Sequence, residues 1–140
     1  MNLSTRYLAI ALMLGGPLTA HGEDSLYLQC NAQAIRLCLD GVEQCQPWLP
    51  GDGSTMHMSR VDGNWNRSDS NKTVPMNYRP SQDAALNDSH YLLEWRSADG
   101  NSSIIGIDRH TGLAEEHSAV PGSRETIVVR WKCEALSKRF

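Results

Sequence analysis

The sequence is poor in the features that build helices, membrane spans or catalytic centres. Beyond residue 22 no window repeats apolar residues at helical spacing, and only Ser81 to Leu86 admits one helical turn, with Ser81 as its cap. The one sustained apolar run, Tyr7 to Leu18, is broken by Gly15, Gly16 and Pro17 and falls short of the roughly 20 residues that cross a bilayer as helix. Gly-x-Ser-x-Gly and His-Glu-x-x-His do not occur. The paired acids Glu115 and Glu116 alternate to opposite faces of a strand, the wrong placement for a shared acid and base. The expectation is a non-enzyme without a cofactor.

A strong charge of either sign is lacking too. The chain carries 13 Lys and Arg against 16 Asp and Glu; setting Arg6 of the leader aside leaves 12 against 16, a net charge of −4. A mildly acidic, mixed surface argues against nucleic acid or an anionic membrane as the main partner.

What is there begins with an address. Met1 to Arg6 is a short, weakly basic segment, Tyr7 to Leu18 is apolar, and Ala20-His21-Gly22 offers small residues at both positions read by a signal peptidase. The expectation is a bacterial signal peptide at 1–22, a periplasmic destination, and a single β domain over 23–140.

Cys30, Cys38, Cys45 and Cys133 follow the leader, and in an oxidising compartment two disulfides are the default. Four cysteines allow three connectivities. A four-residue loop from Asp40 to Glu43 sets Cys38 opposite Cys45, whereas a two-residue Asp40-Gly41 turn pairs Cys38 with Glu43 instead. Cys30 shares a strand face with Leu26 and Leu28, and Cys133 shares one with Ile127, Val129 and Trp131. The favoured pairing is Cys38 with Cys45 and Cys30 with Cys133, the second tying the first strand to the last. A zinc site is the competing reading, but no Cys-x-x-Cys or neighbouring His pair supports it.

Alternation predicts strands at Ser25 to Cys30, Ala34 to Leu39, Val42 to Gln46, Thr55 to Val61, His90 to Arg96, Ser103 to Asp108, Leu113 to Val120 and Glu125 to Cys133. Turns are predicted at Asp62-Gly63, Asp99-Gly100-Asn101 and Asp108 to Gly112. This is an all-β antiparallel barrel or sandwich of about seven or eight strands. Pro47 to Gly53 reads as a loop. Asn64 to Ser89 is rich in Asn, Ser, Asp, Arg and Pro, with only Lys72 to Tyr78 hinting at a strand, and so is the leading candidate for a binding element.

Asp108-Arg109-His110-Thr111-Gly112 resembles hairpin tips of many small exported bacterial proteins. Met56-His57-Met58, with tryptophans nearby, resembles the Met-x-Met strand of small periplasmic copper-binding barrels; the resemblance implies a Cu(I) or small-ligand carrier using Met56 and Met58, although His57 points to the other face.

The tryptophans are more informative. There are four against a single Phe; Trp95 and Trp131 fall on core faces, while Trp48 and Trp65 sit in polar, turn-rich segments. With Arg67, Tyr78 and Arg79 they form the predicted partner-binding set, since these residue types are enriched at interface centres. The chain is thus expected to be an exported binding protein that docks on a protein partner. In size, compartment and character it resembles exported bacterial inhibitors of lysozymes and immunity proteins against cell-wall-degrading toxins, which implies a peptidoglycan hydrolase or toxin as the partner. A third reading is an envelope assembly component, which predicts self-association.

Overall fold

Period-two alternation runs through nearly every segment, and the chain forms strands to match. The computed structural model describes residues 25–136 except 42, 70, 71 and 99; the expected signal peptide lies outside the described residues. In order come β1 (Leu26–Leu39), β2 (Gln44–Cys45), β3 (Leu49–Pro50), β4 (Thr55–Val61), β5 (Asn64–Asp69), β6 (Lys72–Tyr78), α1 (Ala84–Ser89), β7 (His90–Arg96), β8 (Ser102–Asp108), β9 (Leu113–Ala119) and β10 (Glu125–Leu136). β4 to β10 form a continuous antiparallel meander, and β1 pairs with both β4 and β10. The result is a closed eight-stranded barrel, with β2 and β3 added beside β1.

The two disulfides are Cys30–Cys133 and Cys38–Cys45. In the ladders Cys30 stands opposite Cys133 and Cys38 opposite Cys45, the second pairing requiring the longer of the two loops weighed from the sequence. Leu28, Met56, Met58, Leu93, Ile105 and Ile107 are fully buried and fill the lumen together with Trp65, Tyr91 and Trp131.

Three predicted elements are corrected. The strands expected at Ser25 to Cys30 and Ala34 to Leu39 are one 14-residue strand, bent where the β10 register shifts between Ala32 and Ala34. Lys72 to Tyr78 is a strand as expected, but Asn64 to Asp69 is a strand too: β5 and β6 pair from Trp65 with Met76 to Asp69 with Lys72. Asn66, Ser68 and Thr73 lie on the outer face, while Arg67 and Asp69 share the lumen face with Trp65, Val74 and Met76, so the polarity reflects a solvated outer face and a polar mouth rather than a loop. The short helix begins later than expected, because Asp83 caps it by accepting from the Ala85 amide.

The bulge reverses which residues of β1 face inward. Leu26, Leu28 and Cys30 point into the lumen before it; Ile35 and Leu37, paired with Val129 and Ile127, do so after it. β3 is fastened at this bend: the Gly51 amide donates to the Gln33 carbonyl and the Ala32 amide to Ser54. A side chain at Gly51 would run into the Ala32 carbonyl, so only glycine fits.

Two seams of the barrel contrast. β1 and β10 pair over twelve positions, whereas β6 and β7 pair only at Asn77 with Glu94 and Tyr78 with Leu93. The cause lies in the sequence. Arg79 donates its amide to Leu92 across this seam, and by the two-residue repeat the donors after it fall at residues 77 and 75. Residue 75 is Pro75, which has no N–H, so the ladder stops and the strands part towards one end of the barrel.

That end is the wide one. There β1 runs on from Ala32 to Leu39 past its last β4 pair, Asn31 with Thr55. The opposite, narrow end is filled by Trp65 tilted against Tyr91 with ring centres 5.0 Å apart, and by Arg60 and Arg109 over the Tyr91 ring.

Candidate functional site

Alternation on β5 turns Arg67 and Asp69 to the lumen on the same side as Trp65, and on β9 it turns Glu116 and Ser118 inward with Ala114. β5 and β9 stand on opposite walls, so the Arg67–Glu116 ion pair crosses the lumen like a bar. Glu116 is 3 % exposed and also accepts from the Ser103 hydroxyl and, at 3.2 Å, from the Trp131 indole N–H. Arg67 Nε donates to Asp69 at 2.8 Å. Ser118 Oγ donates to Ser103 Oγ at 3.2 Å, which continues the network outwards. A buried carboxylate with three donors is fully satisfied, and this is the condition under which such a charge is tolerated inside a barrel. Burial disfavours the charged form of Arg67, but the charge and hydrogen bond of Glu116, then those of Asp69, outweigh it and hold the guanidinium above its ordinary range.

The bar divides the wide mouth into two chambers. On the β6–β7 side a cavity of about 180 Å³ is lined by Lys72, Val74, Trp95, Ser103 and Ser118 together with the bar. On the β1–β10 side a cavity of about 330 Å³ is lined by Ile35, Asp52, Thr55, Val129 and Trp131 together with the bar. Above the second chamber rises the extended wall of β1 and β10. Cross-strand pairing sets Leu49, Ile35 and Val129 in one row and Leu37 and Ile127 in the next, with Leu39 beyond them, all on the lumen face.

The predicted partner-binding residues are not gathered in one place. Trp65 is buried in the core, 4 % exposed, and Arg67 forms the bar. Trp48 is half-buried on the outer wall, with the guanidinium carbons of Arg36 and Arg130 4.3 and 4.1 Å from its ring. Arg36 lies opposite Val128 in the ladder; Val128 is fully buried, whereas Ile127, on the lumen face, is 43 % exposed. Tyr78 is exposed near the narrow end, and Arg79 beside it pairs with Glu94 across the short seam. Met56 and Met58 are fully buried opposite Cys30 and Leu28, with His57 on the other face. Among the described residues no group of three His, Cys, Asp or Glu side chains is placed to hold a metal ion.

Glu116, Ser103, Ser118, Lys72 and Pro75 were missed as site residues. The available signal was parity: Arg67 and Asp69 lie on the face of Trp65, and Glu116 lies on that of Ala114. Their meeting depends on strand order, which alternation does not encode.

Ser89, His90 and Asp108 look superficially catalytic. Ser89 Oγ lies 2.7 Å from His90 Nδ1, and His90 Nε2 lies 4.0 Å from Asp108. The Ser89 hydroxyl also lies within hydrogen-bond reach of the Leu86 carbonyl at the end of α1, at 3.2 Å. Asp108 is occupied by the backbone amides of His110 and Thr111, which hold its carboxyl below the ordinary range. The cluster fastens α1 and a turn.

Compared with known proteins, the chain shows no significant match to a family model, a curated protein or a solved structure.

Proposed function

We propose that this is an exported, periplasmic, non-enzymatic binding protein that docks through the wide mouth on a protein partner, of the cell-wall hydrolase or toxin type, and inhibits it. The observation that carries this reading is the apolar wall of β1, β3 and β10, where Leu39, Leu49 and Ile127 are 38, 60 and 43 % exposed on one face. Among the described residues no element covers it. A contiguous exposed apolar face rimmed by polar residues marks an interaction site. Rigidity supports the reading as well: Cys38–Cys45 and the β3 fastening fix this wall before any partner arrives, which lowers the ordering cost of docking. The two disulfides fit an oxidising compartment. No helix among the described residues is long and apolar enough to cross a membrane.

Capture from periplasmic extract tests the proposal. A hydrolase or toxin should be retained stoichiometrically by the protein, lose activity on binding, and be released by the double substitution Leu39→Asp, Ile127→Asp. Ile104→Asp, at an exposed position on the outer wall of β8, should leave capture unchanged. Retention that ignores the wall substitutions, or an ordered homo-oligomer in place of a partner, would contradict docking at this mouth.

A further inference from the structure

We infer that the chamber on the β6–β7 side is a binding site for one neutral saccharide ring, separate from the apolar wall and on the far side of the bar. Its position follows from Pro75, which ends the β6–β7 ladder and leaves Val74 and Trp95 lining a gap in the barrel wall. Eight-stranded barrels have room inside for side chains or for a single small ligand. At about 180 Å³ the chamber lies below the range of roughly 300–1,000 Å³ typical of drug-sized ligands, which suits a single ring rather than a chain.

The lining selects for a neutral ligand. Arg67 and Lys72 supply two cations, and Asp69 and Glu116 supply two carboxylates, so an anion and a cation each meet a like charge. An acyl chain would strip water from this polar floor without replacing its hydrogen bonds. A sugar hydroxyl both donates and accepts, and the chamber offers both kinds of group. Lys72 is exposed, and neither its ammonium nor the Trp95 indole N–H makes an ion pair or hydrogen bond among the described residues. Ser118 sends its proton inwards to Ser103, which leaves its oxygen to accept from a ligand. Asp69 accepts from Arg67 through one oxygen and remains half-exposed. Against the polar groups stand Trp95 and Val74, an apolar surface for the C–H face of a pyranose.

Calorimetry and tryptophan fluorescence on the exported protein, titrated with glucose, galactose and N-acetylglucosamine, test the inference; glucose 6-phosphate and glucosamine serve as charged analogues. At least one neutral sugar should bind saturably at one per chain and perturb the fluorescence, and both charged analogues should bind more weakly. Lys72→Met, at an exposed position, should weaken the neutral sugar about tenfold, the loss of one charge-assisted hydrogen bond. Trp95→Phe should weaken it as well. The Leu39→Asp, Ile127→Asp variant should bind sugar normally, so failure of protein docking and failure of this site are separately visible. No saturable binding of any neutral sugar, preference for a charged analogue, or binding indifferent to both Lys72→Met and Trp95→Phe would overturn it.

Discussion

The β1–β10 seam and the β6–β7 seam lie diametrically opposite each other in the barrel and differ in almost every respect. The first joins the two ends of the barrel sequence over twelve pairs and is bridged by Cys30–Cys133. The second joins neighbours in sequence over two pairs and is interrupted by Pro75. Closure between remote strands carries the larger loop entropy, so a crosslink there stabilises most. A sequence-local seam closes without such help, and it can therefore be left partly open to form a chamber. Between the two lies the Arg67–Glu116 bar, which links opposite walls independently of either seam.

The largest effect is expected at the long seam. Replacing Cys30 and Cys133 by Ala should cost roughly 4.7 kcal/mol in the chain-entropy account of its long loop, against roughly 2.5 for Cys38 and Cys45. Denaturant unfolding of both double variants measures the ratio, and equal losses would remove the argument from loop length. Next comes the bar. Glu116→Leu alone leaves the buried guanidinium with only the half-exposed Asp69 as counter-charge and should cost about 3 kcal/mol, whereas Glu116→Leu combined with Arg67→Met should recover most of that. A double variant as unstable as the single one would show that the network, rather than the uncompensated charge, carries the loss.

Pro75→Val should act at the short seam and in the opposite direction. It supplies the missing N–H to Arg96, adds about 1 kcal/mol of stability, and narrows the chamber. Hydrogen exchange should show new protection at residue 75, and unchanged exchange around Trp95 would sever Pro75 from the gap. The smallest effect is electrostatic. Hydrogen bonds from Arg79 and then Arg96 hold the Glu94 carboxyl below its ordinary value of 4.5, and the Arg79 bond spans this seam. Because the folded value is depressed, the contribution is complete above the unfolded value and is lost as pH falls through the folded one. Glu94→Gln should lower stability near neutrality, leave it little changed at pH below the folded value, and so flatten the acid limb below about 4.5; an acid limb identical to that of the unsubstituted protein contradicts this.

Much of the barrel was legible in the chain. Cys30 and Cys133 could be paired because each shares a face with core residues on its own strand, and that inference needed only alternation. Alternation misled where a strand's polar face was mistaken for a loop, as at Asn64 to Asp69, and where Ile127 was placed in the core. Ile127 does face the lumen, but at that height the lumen has opened into the mouth. Neighbouring polarity did not place Trp65 and Trp48 either: a tryptophan flanked by polar residues can be drawn inside by β5 or held on an outer wall between two arginines.

The sequence by itself determined the strand periodicity and the pairing of cysteines by face, because each depends on residues two apart. Only the tertiary structure decided that β5 and β9 stand across the lumen from each other, so that Arg67 and Glu116, 49 positions apart, meet as a bar and split the mouth into two chambers. Strand order arises from closing the sheet on itself, and closure is a property of the whole chain that no local pattern records.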